Sequence, residues 1–138
     1  MSKYAVLYHC HPVNNGLAHL EYFLKNGYDP NVDFFIACVD FEPPPDICNI
    51  KFIKVENDSH DYGGFSRLLL QYVPIDDFDY FGFFNSSCIG PVSQSYGNAN
   101  WLECFSRKLS DDIAICGSTI NCLSARSPFF QFLKGYLD

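Results

Sequence analysis

Apolar residues run along this chain in short blocks, each ending in a polar cluster, and the blocks alternate between two periods. Tyr4 to Tyr8 (Y-A-V-L-Y) and Asp33 to Val39 (D-F-F-I-A-C-V) are continuous enough to be buried strands. Ile50 to Val55 (I-K-F-I-K-V) alternates apolar and basic residues, so this third strand is expected to expose one face and to lie nearer an edge. Tyr80 to Phe84 holds four aromatic residues and a glycine without a charge, as expected of a strand in the middle of a parallel sheet. Ile113 to Cys116 reads as a fifth strand.

Between these blocks the spacing becomes helical. Asn14 or Asn15 is placed to cap a helix through about Asn26, with Leu17, Leu20, Phe23 and Leu24 on one stripe and Gly27 closing it. Gly63-Gly64 opens a helix through about Tyr72 that carries Phe65, Leu68, Leu69 and Tyr72 on one side. A third helix starts at Asn100-Trp101 and runs to about Leu109, with Trp101 against the sheet, and the aromatic stretch Ser127 to Leu137 suits a short fourth. The proline-rich Glu42 to Asp46 can be neither strand nor helix interior. The order of elements predicts an α/β fold, a Rossmann-like mostly parallel sheet with helices on both faces.

The polar residues then acquire meaning, because parallel strands deliver their carboxyl ends to one edge. Those ends are His9 and His11; Asp40; Asn57, Asp58 and Asp61; Asn85, Ser86 and Ser87; and Ser118, Thr119 and Asn121. Open α/β sheets bind ligands in a crevice at that edge. Polar turns are also simply how strands end, so each residue has a plainer role beside it. Asp61 can serve a ligand or cap a helix; Gly63 and Gly64 can admit a ligand to the backbone or make a tight turn; Asp40 can contact a base or ribose or sit in a surface loop. His9 and His11, at alternate positions, can share an ion or line a pocket. Cys10 beside them is a conceivable nucleophile without an orienting third group.

Composition narrows the partners. The 138 residues fit one domain spanning 1–138, and 48% hydrophobic with 17% aromatic content excludes a disordered chain. A formal net charge of -7 argues against a nucleic-acid partner. Anionic ligands remain accessible through backbone N–H groups. No run approaches the roughly 20 apolar residues of a membrane span. The seven cysteines are odd in number and form no C-x-x-C pair. With no signal-peptide pattern at the N-terminus, a reducing, cytoplasmic setting is expected.

Two segments carry a resemblance beyond this pattern. Val55-Glu56-Asn57-Asp58-Ser59-His60-Asp61-Tyr62-Gly63-Gly64-Phe65 resembles R-E-N-x-G-x-D-F-G-A-W, and Asn85-Ser86-Ser87-Cys88-Ile89-Gly90-Pro91 resembles N-D-S-x-x-G-P. In this order they resemble segments of the rhamnan-synthesis (RgpF-like) glycosyltransferases and related polysaccharide-building enzymes of the GT-A fold. Trp101 and Gly117 to Cys122 look like later segments of a related branch, so the likeness spans Tyr4 to Cys122.

The resemblance implies a nucleotide-diphospho-sugar donor held across the carboxyl edge, a glycan acceptor, and a divalent Mn²⁺ or Mg²⁺ against the diphosphate. Asp61 would be the catalytic carboxylate and the one that holds the metal, with Asp58 as the alternative source of charge and a metal-independent reaction as the other. Asn57, Gly63, Gly64, Asn85, Ser86 and Ser87 would lie about the diphosphate and sugar, with His9, His11 and Asp40 along the nucleotide. Two departures bear on this. Ser86 stands where the family pattern has an aspartate, and a hydroxyl is a poor ligand for a hard cation; Ser59 replaces a glycine. The chain also has the length of a donor half. A non-catalytic nucleotide-sugar-binding remnant is therefore the alternative. A flavodoxin-like or receiver-like domain would need a phosphate loop or an acidic cluster where His9-Cys10-His11-Pro12 stands.

Overall fold

The computed structural model describes residues 2–58, 60–91 and 100–117. The chain divides into two compact units, Met1–Ser106 and Arg107–Asp138. The first unit is built from β1 (Tyr4–Cys10), α1 (Gly16–Gly27), β2 (Val32–Val39), β3 (Ile50–Val55), α2 (His60–Gln71), a 3-10 turn at Ile75–Asp77, β4 (Tyr80–Asn85) and α3 (Trp101–Ser106). The four strands form one all-parallel sheet in the order β3-β2-β1-β4. This is the expected α/β architecture, with β3 at an edge as its alternating pattern requires.

Strand alternation divides the core between two helices. On β1 and β2, Val6, Tyr8, Cys10, Phe34, Ile36 and Cys38 face α1, where Leu20 and Phe23 meet them. The intervening Ala5, Leu7, Phe35, Ala37 and Val39 face α2 and its fully buried Leu68. Helices on both faces explain why β1 and β2 read as unbroken apolar runs. His9 falls in the second register and therefore lies on the α2 side.

The Tyr80–Phe84 run is not a central strand among the described residues. β4 pairs with β1 alone and is half-buried, with Phe83 50% exposed. Its aromatic character comes from packing on both faces rather than from two strand neighbours. Phe84 meets Phe23 and Trp101 on one face, and Phe83 and Phe81 meet Phe65 and Phe78 on the other. α3 is anchored by the same contacts and by the Trp101 indole N–H, which donates to the Gly27 carbonyl at 3.0 Å.

Three further expectations change. Asn15 occupies the cap position of α1 but is left-handed (φ 65°) and makes no side-chain cap bond. α2 begins at His60, so Gly63 and Gly64 lie inside its first turns rather than before it. In the second unit, Ile113 to Cys116 is not a strand. Ile113 forms one isolated antiparallel bridge with Ser110, and no strand is formed over residues 113–116. The helix expected over Ser127 to Leu137 and the polar group Ser118, Thr119 and Asn121 lie outside the described residues.

Candidate functional site

The chain runs from β1 out to β2 and β3, then returns past β1 to form β4 on its other side. The strand order therefore reverses between β1 and β4, and open α/β sheets bind ligands at such a point beyond the carboxyl ends. His9 and His11 leave β1 there, beside Asn85, Ser86 and Ser87 of β4.

Ser86 ties the two strand ends together. Its N–H donates to the His9 carbonyl at 3.0 Å, continuing the ladder past β4. Its hydroxyl accepts from the His11 N–H at 3.0 Å and donates to the His11 carbonyl at 3.2 Å. The side chain is thus turned into the protein, with the residue 7% exposed. The His19 Nδ1–H of α1 donates to the Ser86 carbonyl at 2.7 Å, binding the helix to the same corner. Gly16 fits here only as glycine, because a Cβ would stand 1.7 Å from the His11 carbonyl oxygen.

Two imidazole–carboxylate pairs flank this corner. His11 Nε2 lies 3.0 Å from Asp40 Oδ2, and the Val13 N–H approaches His11 Nδ1 at 3.4 Å, so Nε2 carries the proton that Asp40 accepts. The left-handed turn at Asp40 (φ 58°) carries its carboxylate out of β2 at the His11 side, and the Asn57 amide stands 3.4 Å from the same nitrogen. This pair is open to solvent, with the Asp40 side chain 59% exposed.

The second pair is sunk into the fold. His9 Nδ1 lies 3.0 Å from Asp61 Oδ1, and its Nε2 is buried with no hydrogen-bond partner among the described residues. Burial holds the His9 pKa below its ordinary value; the Asp61 carboxylate pulls the other way without overcoming it, and His11 adds to the lowering. The ring is therefore a neutral imidazole whose proton sits on Nδ1, facing Asp61. Asp61 Oδ2 accepts from the Asn85 amide at 2.6 Å. That amide is oriented in turn by the Ser87 N–H, which donates to Asn85 Oδ1 at 3.1 Å.

Of the residues singled out from sequence, His9, His11, Asp40, Asn57, Asp61, Asn85 and Ser86 form this connected cluster. Gly64 walls it beneath His9, Gly63 precedes it on α2 half-buried, and Ser87 is exposed on the turn. Asp58 points elsewhere, pairing with Arg67 of α2 at 2.8 Å. Sequence reasoning missed His19 and Gly16, neither of which interrupts the helical pattern it belongs to.

The donor set does not fit a resident divalent ion. Among the described residues no three His, Cys, Asp or Glu side chains come together to hold a metal. A cleft of about 390 Å³ opens at the opposite edge, between the strand starts at Lys3, Asp33 and Lys51 and the turn at Pro74 and Asp77. The residues with convergent chemistry lie away from it.

Comparison with protein-family models, with curated proteins and with solved structures finds no match. Among the described residues no helix is long and apolar enough to cross a membrane.

Proposed function

We propose that the carboxyl edge of the sheet binds a nucleotide-diphospho-sugar and that the protein transfers the sugar to a glycan hydroxyl. The observation that carries this reading is the 2.6 Å hydrogen bond from Asn85 to Asp61. It joins the two segments that resemble the rhamnan-synthesis glycosyltransferases, at the point where the sheet reverses its order. Asp61 is the carboxylate at that point, side chain 39% exposed, suited to accept hydrogen bonds from sugar hydroxyls. In transfer, the acceptor oxygen bonds to the anomeric carbon, the bond to the diphosphate breaks, and Asp61 takes the acceptor proton.

The amino end of α1 supports the anionic part of the ligand. It has no acidic residue in its first turn and no side-chain cap, so although the Gly16 N–H is taken by the Val13 carbonyl at 3.0 Å, the helix dipole favours a phosphate there. His11 and Asp40, exposed together farther along the edge, suit the hydroxyls of a ribose.

The alternative, binding without turnover, is favoured by the inward turn of the Ser86 hydroxyl, which is spent on the His11 backbone. One experiment addresses both. A thermal-shift series with UDP-glucose, GDP-mannose and dTDP-rhamnose, with and without Mn²⁺, reports binding; release of nucleoside diphosphate in the presence of a glycan acceptor reports transfer. A donor at a hundredfold excess over Kd stabilises by about 2.7 kcal/mol. A shift lost in Asp61→Ala, together with release, supports the transferase; a shift without release supports the binding module. No shift with any donor refutes both.

A further inference from the structure

We infer that His9 is a positioning residue: its Nδ1–H holds one oxygen of Asp61 while the Asn85 amide holds the other, fixing the orientation in which the carboxylate meets a hydroxyl-bearing ligand. The inference rests on the reading of Asp61 as a ligand-facing group. It changes the role of His9 from pocket lining to support.

Direct contact between His9 and a ligand is ruled out by its place in the fold. The residue is 3% exposed, and its ring lies against α2, where a Cβ on Gly64 would come within 2.3 Å of Cδ2 and 3.1 Å of Nε2. Its Nδ1 meets the partly exposed Asp61 at 3.0 Å. The two donors reach Asp61 from different strands, His9 from β1 and Asn85 from β4. Each oxygen accepts one bond, so the carboxylate cannot rotate without breaking both, and its remaining lone pairs stay available. A histidine serving only the core would satisfy its nitrogens inside; this one leaves Nε2 without a hydrogen-bond partner among the described residues and uses Nδ1 on the sole exposed member of the pair.

The arrangement has a spectroscopic signature and a pattern of rescue. Long-range ¹H–¹⁵N spectra of the full chain should show His9 with its proton on Nδ1, and Asp61→Ala should shift the ring toward the Nε2–H form. Asparagine places an amide N–H near the position of Nδ1, and glutamine places it near Nε2. His9→Asn should therefore retain affinity for the donor that shifts the wild type, whereas His9→Gln should lose about tenfold or more at similar melting temperature. A wild-type His9 carrying its proton on Nε2, a tautomer unchanged in Asp61→Ala, or equal losses in the two His9 variants would overturn the inference. The tautomer measurements need no ligand. If no donor binds the wild type, the functional reading fails, and the positioning role is judged on those spectra alone.

Discussion

Gly64 on α2 and His9 on β1 are in contact through the missing side chain of the glycine: a Cβ there would lie 2.3 Å from the imidazole Cδ2. The close approach lets the ring turn Nδ1 toward Asp61. Gly64→Ala is expected to push the ring away or move the helix. Its cost should be about 1–3 kcal/mol of folding stability, the usual penalty for overpacking, despite the better helix propensity of alanine. Urea unfolding measures it. A variant as stable as the wild type would show that the helix can shift freely, and the His9–Asp61 distance would then not be fixed by packing.

Tyr8 offers the opposite test. The residue is 1% exposed and its ring packs against Phe23 at 4.7 Å, yet its hydroxyl is buried with no hydrogen-bond partner among the described residues. Burial also raises its pKa, with Cys10 and Cys88 adding to the effect. Removing an unsatisfied hydroxyl while keeping the ring relieves a desolvation penalty. Tyr8→Phe should be neutral or stabilising by up to about 1 kcal/mol. A loss larger than 1 kcal/mol in chemical denaturation would mean that the hydroxyl is hydrogen-bonded.

The thiols give the pH dependence. Burial raises Cys10 from 9.0 to about 11 and Cys38 from 9.0 to about 12, while Cys48 and Cys88 are exposed. Below about pH 9 the folded and unfolded chains hold the same thiol protons. Above it the unfolded chain releases them and the folded chain keeps them, so stability falls as pH rises toward the folded values. The slope approaches roughly 1.4 kcal/mol per pH unit for each thiol. Denaturant midpoints measured from pH 8 to 10 should fall, and Cys10→Ala/Cys38→Ala should flatten the decline. In native protein, a thiol reagent should modify Cys48 and Cys88 promptly and Cys10 and Cys38 only on unfolding.

These groups also show how far the sequence could be read. Apolar continuity located β1 and β2 because helices cover both faces of those strands, and alternation located β3 because it lies at an edge. The same continuity misplaced β4: hydrophobicity reports covered faces, not the number of paired neighbours, and Phe23, Trp101, Phe65 and Phe78 supply the cover. Ile113 to Cys116 failed because a four-residue apolar run carries no information on whether a ladder awaits it. At the site, parallel strands made the shared edge legible, but the pairing of His9 with Asp61 and of His11 with Asp40 depends on strand order. Ser86 looked like a ligand group by composition; its inward turn follows from the β4 register opposite His9 and His11, which no local pattern encodes.

The contact between Asn85 and Asp61 permits a test that separates folding from function. Asn85→Asp sets a carboxylate against a carboxylate at the 2.6 Å contact. Like charges at that distance repel, and a loss of about 1–3 kcal/mol in stability is expected at neutral pH. Asp61→Asn alone keeps an oxygen for His9 but turns an amide toward the Asn85 amide, which also costs stability. The exchanged pair, Asp61→Asn with Asn85→Asp, restores one donor and one acceptor and leaves the net charge unchanged. Its stability should recover beyond the sum of the single effects, a coupling that a double-mutant cycle reads directly. Donor binding should not recover, because the carboxylate now stands on β4 rather than on α2. Recovery of both would show that the site needs only a negative charge, wherever it sits. Recovery of neither would mean that the hydrogen bond does not hold the two segments together.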